Sequence, residues 1–432
     1  MTNQPLNPRP VVVPTDDSTV RRILRDLDQA ATYFGEGPAE RRERLTRILA
    51  DLPAEERLRI QAANEPINAI EEPDSKEQTF YYEGSEALKK ARYHIADYSI
   101  QQSNYRLDMA RIKQLEPLAT RLIPKQDIIE KIRHIDDPES HVDEETNSTE
   151  LKILTACNFN PDATLICTSC RSGRCKIWSL PNMETHSILR GHQHSANYIT
   201  FSPMSGEQNG LEPSAANLAS CAMDGSIILW NLVDESPHTQ LSGSQSWRVT
   251  RVKYHPCGRY LASCCSDNSW RLWDLEIGTE ILHQEGHSDA VFDLAFHPDG
   301  SLTGSASMDS FACIWDLRTG RSIDLLEGHT KGIRTIDFSP DGYHIATGSL
   351  DNTVKIWNLR QRKLEYTIPA HVNAVTTVMF EKENGFYLAT SSFDKTVKFW
   401  SSQTWAPIKT LDAYDDKVAR IDISTDSSRL VS

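Results

Sequence analysis

No stretch of this chain stays apolar for anything near the roughly 20 residues that a membrane-spanning helix requires. The N-terminus, Met1 to Pro10, lacks the charged-then-apolar order of an export signal. Basic charge is in deficit, with 46 Lys and Arg against 60 Asp and Glu, a net of -14. That argues against a surface that coats nucleic acid broadly, though it leaves room for a local basic patch. There is no phosphate-binding loop or nucleophile elbow, so the commonest enzyme signatures are missing. Cysteines number nine, an odd count, and all lie between Cys157 and Cys313, mostly in predicted strands. Free thiols in a reducing compartment are expected, and with them a soluble intracellular protein. Cys167 and Cys170, with Cys175 nearby, have no second pair or histidine at ligand spacing and fall on a predicted strand. Neither a metal nor a cofactor is expected.

What is present is a repeat. Tryptophans 178, 230, 273, 315, 357 and 400 follow one another at intervals of 52, 43, 42, 42 and 43 residues. The long interval contains Pro203 to Ala215, rich in Gly, Ser, Asn and Pro, which reads as a looped insertion. The unit is clearest from Gly328 to Leu359. Gly328-His329 opens it, Ile333 to Phe338 alternates, Ser339-Pro340-Asp341-Gly342 turns, and two more strands end at Trp357. Gly-His openers recur at 191, 286 and 328, with Ala370-His371 as a variant, and similar turns stand at Asn160-Pro161-Asp162, His255 to Gly258 and His297 to Gly300. About 280 residues therefore resemble the WD-repeat propellers.

A buried indole keeps an N-H that needs an acceptor. For Trp357 a hydroxyl on the neighbouring strand, Ser349 or Thr347, is at hand. The WD resemblance implies that a histidine then bonds the hydroxyl and a turn aspartate holds the histidine. The sets expected are His287, Ser307, Asp309 and Trp315; His329, Ser349, Asp351 and Trp357; and His371, Ser392, Asp394 and Trp400. The His-to-Asp offsets are 22, 22 and 23, and each aspartate precedes its tryptophan by six residues. A Ser-His-Asp set that recurs blade after blade is a buried support, since a catalytic triad should occur once. The first repeat has Ser172-Gly173 in place of the aspartate and the third lacks a Gly-His opener, so both are expected to have incomplete networks.

Val418 to Ile423 reads as a seventh first strand and Arg429 to Ser432 as the start of a second, with no seventh tryptophan strand. The fold expected is mainly β. It is a seven-bladed WD-repeat β-propeller, the last blade incomplete, preceded by an α-helical N-terminal region. Ile128 to Ile135, or residues just before Leu151, are candidates for a strand closing that blade.

Ahead of the propeller (150-432) the organisation expected is a disordered tail (1-14), a two-helix module (15-52), a linker (53-84), a helical segment (85-134) and an acidic linker (135-149). Val20, Ile23, Leu24 and Leu27 line one face of the first helix. Tyr33-Phe34-Gly35-Glu36 precedes an arginine-rich second helix containing Arg41 and Arg44. This block resembles the splicing factor motif of pre-mRNA processing factors, in the version carried by the processing factor four family. Leu24, Tyr33, Phe34, Gly35, Glu36, Arg41 and Arg44 carry the resemblance. From Ser85 a long helix spaces Leu88, Ala91, Ile95, Tyr98, Tyr105, Met109 and Ile112 along one seam, interrupted at Gln102. The seam is read as partner-binding, against the plainer alternative that it packs on its own domain. Acidic substitution of Ile95 and Tyr98 is then expected to abolish partner binding while the propeller still folds.

The order of modules resembles processing factor four over nearly the whole chain, including Glu280 to His287 and Tyr343 to Ser349. The resemblance implies a nuclear, non-catalytic scaffold of the U4/U6 particle and the U4/U6·U5 tri-snRNP in pre-mRNA splicing. It implies processing factor three and a cyclophilin as partners, and contact with U4/U6 small nuclear RNA, direct or indirect. The rival reading is a generic WD-repeat adaptor of a ubiquitin ligase or chromatin complex. Arg360 to Lys363 and Arg248 to Lys253 read as solvated charged loops, and Trp270 to Trp273 as strand core.

Overall fold

The computed structural model describes residues 17–27, 29, 37–51, 85–115, 118–133, 154–205, 215–241, 247–412, 414 and 416–432. They fall in two compact units, Met1–Tyr82 and Glu83–Ser432. In the first, α1 (Asp17–Asp26) and α2 (Pro38–Asp51) pack Val20, Ile23 and Leu24 against Leu45 and Leu49. Pro38 opens α2, where a missing N-H costs nothing, and the Gly37 N-H donates to Glu40 Oε2 at 2.9 Å. Tyr33, Phe34, Gly35 and Glu36 lie outside the described residues, as do the expected tail, the 53–84 linker and the acidic linker.

The second unit holds six four-stranded antiparallel meanders, blades 1 to 6, spanning 154–190, 196–241, 249–284, 291–326, 333–368 and 375–411. Short apolar-alternating runs separated by Pro, Asp and Gly turns leave each sheet two faces to bury. They bury them against each other: Trp357 of blade 5 packs on Ile314, Leu326 and Ala312 of blade 4. At blades 1, 3, 4, 5 and 6 the register shifts where the tryptophan meets the fourth strand. Such a bulge re-aims a side chain and increases twist. A two-stranded sheet, Asp422–Ile423 with Leu430–Val431, lies between blades 6 and 1. Val418 O accepts from Thr376 Oγ1 at 2.9 Å, and Asp422 Oδ2 accepts the Phe159 N-H at 2.6 Å.

The helical segment does not stand apart from the propeller. α3 (Glu86–Leu115) is capped by Ser85, whose Oγ accepts the Leu88 N-H at 3.2 Å. Its Ala91 and Ile95 enter the cluster of Tyr260, Trp270, Ile281 and Trp315. α4 (Leu118–Arg133) corrects the first of the two candidates for a closing strand, because Ile128 to Arg133 is helical, while the second, just before Leu151, lies outside the described residues. Ile132 packs with Tyr387, Phe399, Leu411 and Ile421, so tertiary burial overrides the strand preference of its isoleucines. No helix among the described residues is long and apolar enough to cross a membrane.

Candidate interaction surfaces

Antiparallel meanders put the turn between strands one and two, and that between strands three and four, on one face of the ring. The other connections lie on the opposite face. The network residues stand on the latter. His329 Nδ1 meets Asp351 Oδ2 at 2.8 Å, His329 Nε2 meets Thr347 Oγ1 at 2.8 Å, and Trp357 Nε1 donates to Thr347 Oγ1 at 2.9 Å. Blade 4 uses His287, Ser305, Asp309 and Trp315, and blade 6 uses His371, Thr390, Asp394 and Trp400.

The hydroxyl is therefore Ser305, Thr347 or Thr390, and not Ser307, Ser349 or Ser392. Register explains this. Trp357 pairs with Ile345, so Thr347 is one pleat away on the same face, whereas Ser349 is two pleats and about 13 Å along the strand. Ser349 Oγ instead donates to Lys331 O and Gly332 O at 2.9 and 3.0 Å and accepts the Asp351 N-H at 3.1 Å. It shapes the turn that aims the aspartate. Ser307 and Ser392 do the same for Asp309 and Asp394.

Burial alone would raise the carboxyl of Asp351, but hydrogen bonds from His329 and Thr353 hold it far below the usual carboxylate range. Burial lowers the His371 pKa against the pull of Asp394. Blade 2 has a fourth network: His192 bonds Ser220, which takes the Trp230 N-H, and reaches Asp224 through Ser226. In blade 3 the missing histidine is replaced by Arg271, which donates to Asp267 Oδ2 at 2.6 Å while Trp273 Nε1 bonds Ser263. In blade 1 the Trp178 indole bonds Thr168 alone among these elements.

The other face carries α3, laid across successive turns. Tyr98 meets His255 edge-on at 5.7 Å, Arg106 bonds Asp299 and Asp341 O, and Lys113 Nζ reaches Asn384 Oδ1 at 2.8 Å. These are the first turns of blades 3, 4, 5 and 6. Burial, then the nearby Cys257 and Asp299, push the Tyr98 phenol up to about 12. Ala91 and Ile95 are consequently buried against their own propeller, and Leu88 is buried as well, so these three are closed to a partner. Tyr105, Met109 and Ile112 stay exposed, together with Tyr93, Ile100 and Leu115.

Two turn histidines had no assigned part in the sequence reading. His255 Nε2 bonds Gly300 O at 2.8 Å and His297 Nε2 bonds Gly342 O at 3.1 Å, each tying its blade to the next. Their equal 42-residue offset, ahead of Pro in both turns, was the available signal. In the two-helix unit Leu24 is buried and so is Arg41, whereas Arg44 is half-buried.

Of the two basic runs, Arg360 stacks on Tyr343 at 3.9 Å. The run from Arg248 is not a solvated loop along its length, since Arg251 and Lys253 line the axial channel. Trp270 and Trp273 are fully buried. All nine cysteines are free, and burial pushes Cys175 up to about 12. Among the described residues no group of three or more His, Cys, Asp or Glu is placed to hold a metal ion.

The WD domain, G-beta repeat model matches at 146–179, 183–231, 235–274, 278–316, 320–358 and 362–401. The model described as pre-mRNA processing factor 4 (PRP4) like matches at 20–48. Among curated proteins, the U4/U6 small nuclear ribonucleoprotein Prp4 of Bos taurus is 45% identical over 214 residues, covering 50% of this chain and 39% of the relative. The PRP4-like protein of Arabidopsis thaliana is 36% identical over 214 residues, covering 45% of this chain and 35% of the relative. PRP4 of Saccharomyces cerevisiae is 31% identical over 284 residues, covering 63% of this chain and 56% of the relative. The matched stretches thus span less than two thirds of the relatives' length.

Proposed function

The chain belongs to the WD domain, G-beta repeat family, and from that footing we propose that it is a non-catalytic scaffold of the spliceosomal U4/U6 particle and the U4/U6·U5 tri-snRNP. It acts in the nucleus, in pre-mRNA splicing. The observation that carries this reading is the pairing of a processing-factor-4-like motif at 20–48 with a WD-repeat propeller. The names of the relatives support it: those from mammals, a plant and a yeast are called U4/U6 small nuclear ribonucleoproteins. Recurrence of the Ser/Thr-His-Asp sets favours support over catalysis, since each also anchors its own blade's indole.

The partners in this reading are processing factor three, a cyclophilin and U4/U6 small nuclear RNA, the last directly or through processing factor three. A net charge of -14 favours protein contacts as the larger share of binding. The outward side of α3 at Tyr105, Met109 and Ile112 is the protein-binding surface. The sheet at 422–431 is the inner half of a seventh blade, because it repeats the Asp-to-first-strand bond that Asp293 and Asp337 make to Ile336 and Phe380.

Pull-down of the tagged chain, read by RNA sequencing and mass spectrometry, tests the proposal. U4 and U6 RNA with other proteins of the particle are expected. Cullin-type partners without RNA would overturn it in favour of a ubiquitin-ligase adaptor.

A further inference from the structure

The turn between the second and third strands of blade 1 has the shape of its five counterparts and lacks their carboxylate. In blades 2 to 6 the residue six before the tryptophan is Asp224, Asp267, Asp309, Asp351 or Asp394, and in blade 1 it is Ser172. Each aspartate accepts, through Oδ1, the N-H two residues on, at 2.9 to 3.1 Å. The residue between is left-handed in all six turns, from φ 68° at Asn268 to 85° at Gly225, with Gly173 at 83°. The backbone of blade 1 is therefore set to receive an anion at position 172, and a neutral hydroxyl stands there. Ser172 is exposed, and its Oγ has no hydrogen-bond partner among the described residues.

Around that hydroxyl the charge is positive. Arg171 and Arg174 flank Ser172 in the turn, and Arg174 stands directly opposite Arg190 on the fourth strand. Like charges at facing positions of an antiparallel pair repel. All three arginines are exposed, and none forms an ion pair among the described residues. The histidine position of this blade, 22 residues before Ser172, is Glu150, so no imidazole is available to hold a charge at 172 and the arginines are. Blade 1 is also the least tied of the six. Trp178 is half-buried where the other five closing tryptophans are buried, and its indole bonds Thr168 alone. A segment held this lightly opens locally at low cost, which entry of a serine into another enzyme's site requires.

We propose that Ser172 is a phosphorylation site, and that its phosphate stands in for the aspartate blade 1 lacks, clamped by Arg171, Arg174 and Arg190. A protein kinase transfers the γ-phosphoryl group of ATP to Ser172 Oγ. The new O-P bond forms as the bond to ADP breaks, and the hydroxyl proton passes to the kinase's base. The phosphate carries nearly two charges and three acceptor oxygens on an arm one bond longer than that of aspartate. One oxygen accepts the Arg174 N-H, as Asp351 accepts that of Thr353, and the others face the guanidinium groups. Arg174 and Arg190, which repel each other in the unmodified chain, then share a dianion, and the third and fourth strands of blade 1 tighten. The site does not depend on which particle the chain serves in.

Two measurements test this. Peptides covering residue 172, from the chain purified from its own cells with phosphatases inhibited, are mapped by mass spectrometry. Phosphate on Ser172 is expected, and recovery of that peptide in the unmodified form alone overturns the site. The full chain is also made with phosphoserine placed at 172 during translation. Its amide exchange over 165–190 should slow about fivefold relative to the unmodified chain, and its ³¹P resonance should titrate below the value of about 6 of a free phosphoserine. Arg174→Ala with Arg190→Ala should leave the thermal midpoint of the unmodified chain in place, since both side chains are exposed, and return the phosphorylated chain toward the free values. Ser172→Asp should slow exchange less, because its carboxylate reaches the turn amide and not the arginines. Unchanged exchange in the phosphorylated chain, or a ³¹P midpoint at the free value, overturns the clamp. A shifted midpoint that survives in the double variant overturns the arginines as its holders.

Discussion

Arg106 of α3 and Asp299 of blade 4 meet in a two-pronged contact, Nε to Oδ1 at 2.8 Å and Nη2 to Oδ2 at 2.6 Å. The remaining Nη1 donates to Asp341 O at 2.7 Å in the next blade, and the guanidinium lies 5.3 Å from the Tyr343 ring. One side chain thereby joins the long helix to two adjacent turns of the ring. The hydrogen bond to Asp299 is the leading cause of a raised Arg106 pKa. Arginine suits the place because its planar fork satisfies both carboxylate oxygens together.

Replacing Arg106 by Ala should loosen the C-terminal part of α3 and leave the blades folded. Hydrogen bonds to charged groups contribute roughly 1.5–3 kcal/mol, and partial exposure of Arg106 places this contact at the lower end. Amide exchange across residues 99–115 should then quicken about tenfold, measured by hydrogen–deuterium exchange. Arg106→Lys should restore only part of the protection, since a point charge does not span the fork. Unchanged exchange in Arg106→Ala would mean that the apolar seam alone holds the helix.

Thr347 and Ser349 separate two tasks that the repeat pattern leaves merged. Thr347→Val deprives both the Trp357 indole and His329 Nε2 of a partner, at a cost of about 1–3 kcal/mol, and should shift the indole N-H resonance of Trp357. Ser349→Ala should leave that resonance in place while disturbing the Asp351 amide. A Trp357 resonance that moves only in Ser349→Ala would contradict the geometry described above.

The architecture was readable because it is written in recurrence. Tryptophans that after the first interval recur every 42 or 43 residues, all but Trp178 standing six residues after an aspartate, mark strand ends whatever the intervening residues are. The choice between Thr347 and Ser349 was not readable in the same way. Both are hydroxyls on one strand face, and only the pairing of Ile345 with Trp357 tells which is in reach. The docking of α3 was less readable still. Arg106 and Asp299 are 193 residues apart, and an amphipathic seam looks the same whether its partner is the same chain or another. Blade 3 has no histidine to join its aspartate to its hydroxyl, as expected, and the arginine that holds the aspartate instead is a residue type absent from the repeat pattern.

Acid should destabilise the fold before carboxylates alone would. His255 has no exposure, and burial lowers its pKa from 6.5 to about 4. Its Nδ1 accepts the Cys257 N-H at 3.1 Å and its Nε2 faces Gly300 O at 2.8 Å, so the neutral ring fits and a second ring proton does not. The unfolded chain therefore binds the proton more readily. The stability linked to His255 is complete above pH 6.5, falls as pH drops, and is lost by about pH 4, on the order of 3 kcal/mol over that window. His192, lowered to about 4 by burial against the pull of Asp224, acts in the same direction. Urea midpoints should decline between pH 7 and 4.5, and less steeply in His255→Gln. An equal slope in that variant would remove His255 from the account.

The two halves of the α3 seam should answer differently to the same substitution. Ile95 is 1% exposed within the cluster of Tyr260, Trp270 and Trp315. Ile95→Asp therefore places a carboxyl in an apolar site and should cost on the order of 4 kcal/mol or more, visible as a lower unfolding midpoint. Any loss of partner binding in that variant would be confounded by damage to the propeller, which corrects the test suggested by the seam alone. Tyr105 and Ile112 are 64% and 52% exposed, so acidic substitution there removes little packing. The double variant Tyr105→Asp, Ile112→Asp should unfold within a degree or two of the parent. If this side of α3 receives the processing-factor partner, its affinity should fall at least tenfold by calorimetry. Equal affinity with an unchanged midpoint would move the protein-binding surface off the helix and onto the ring.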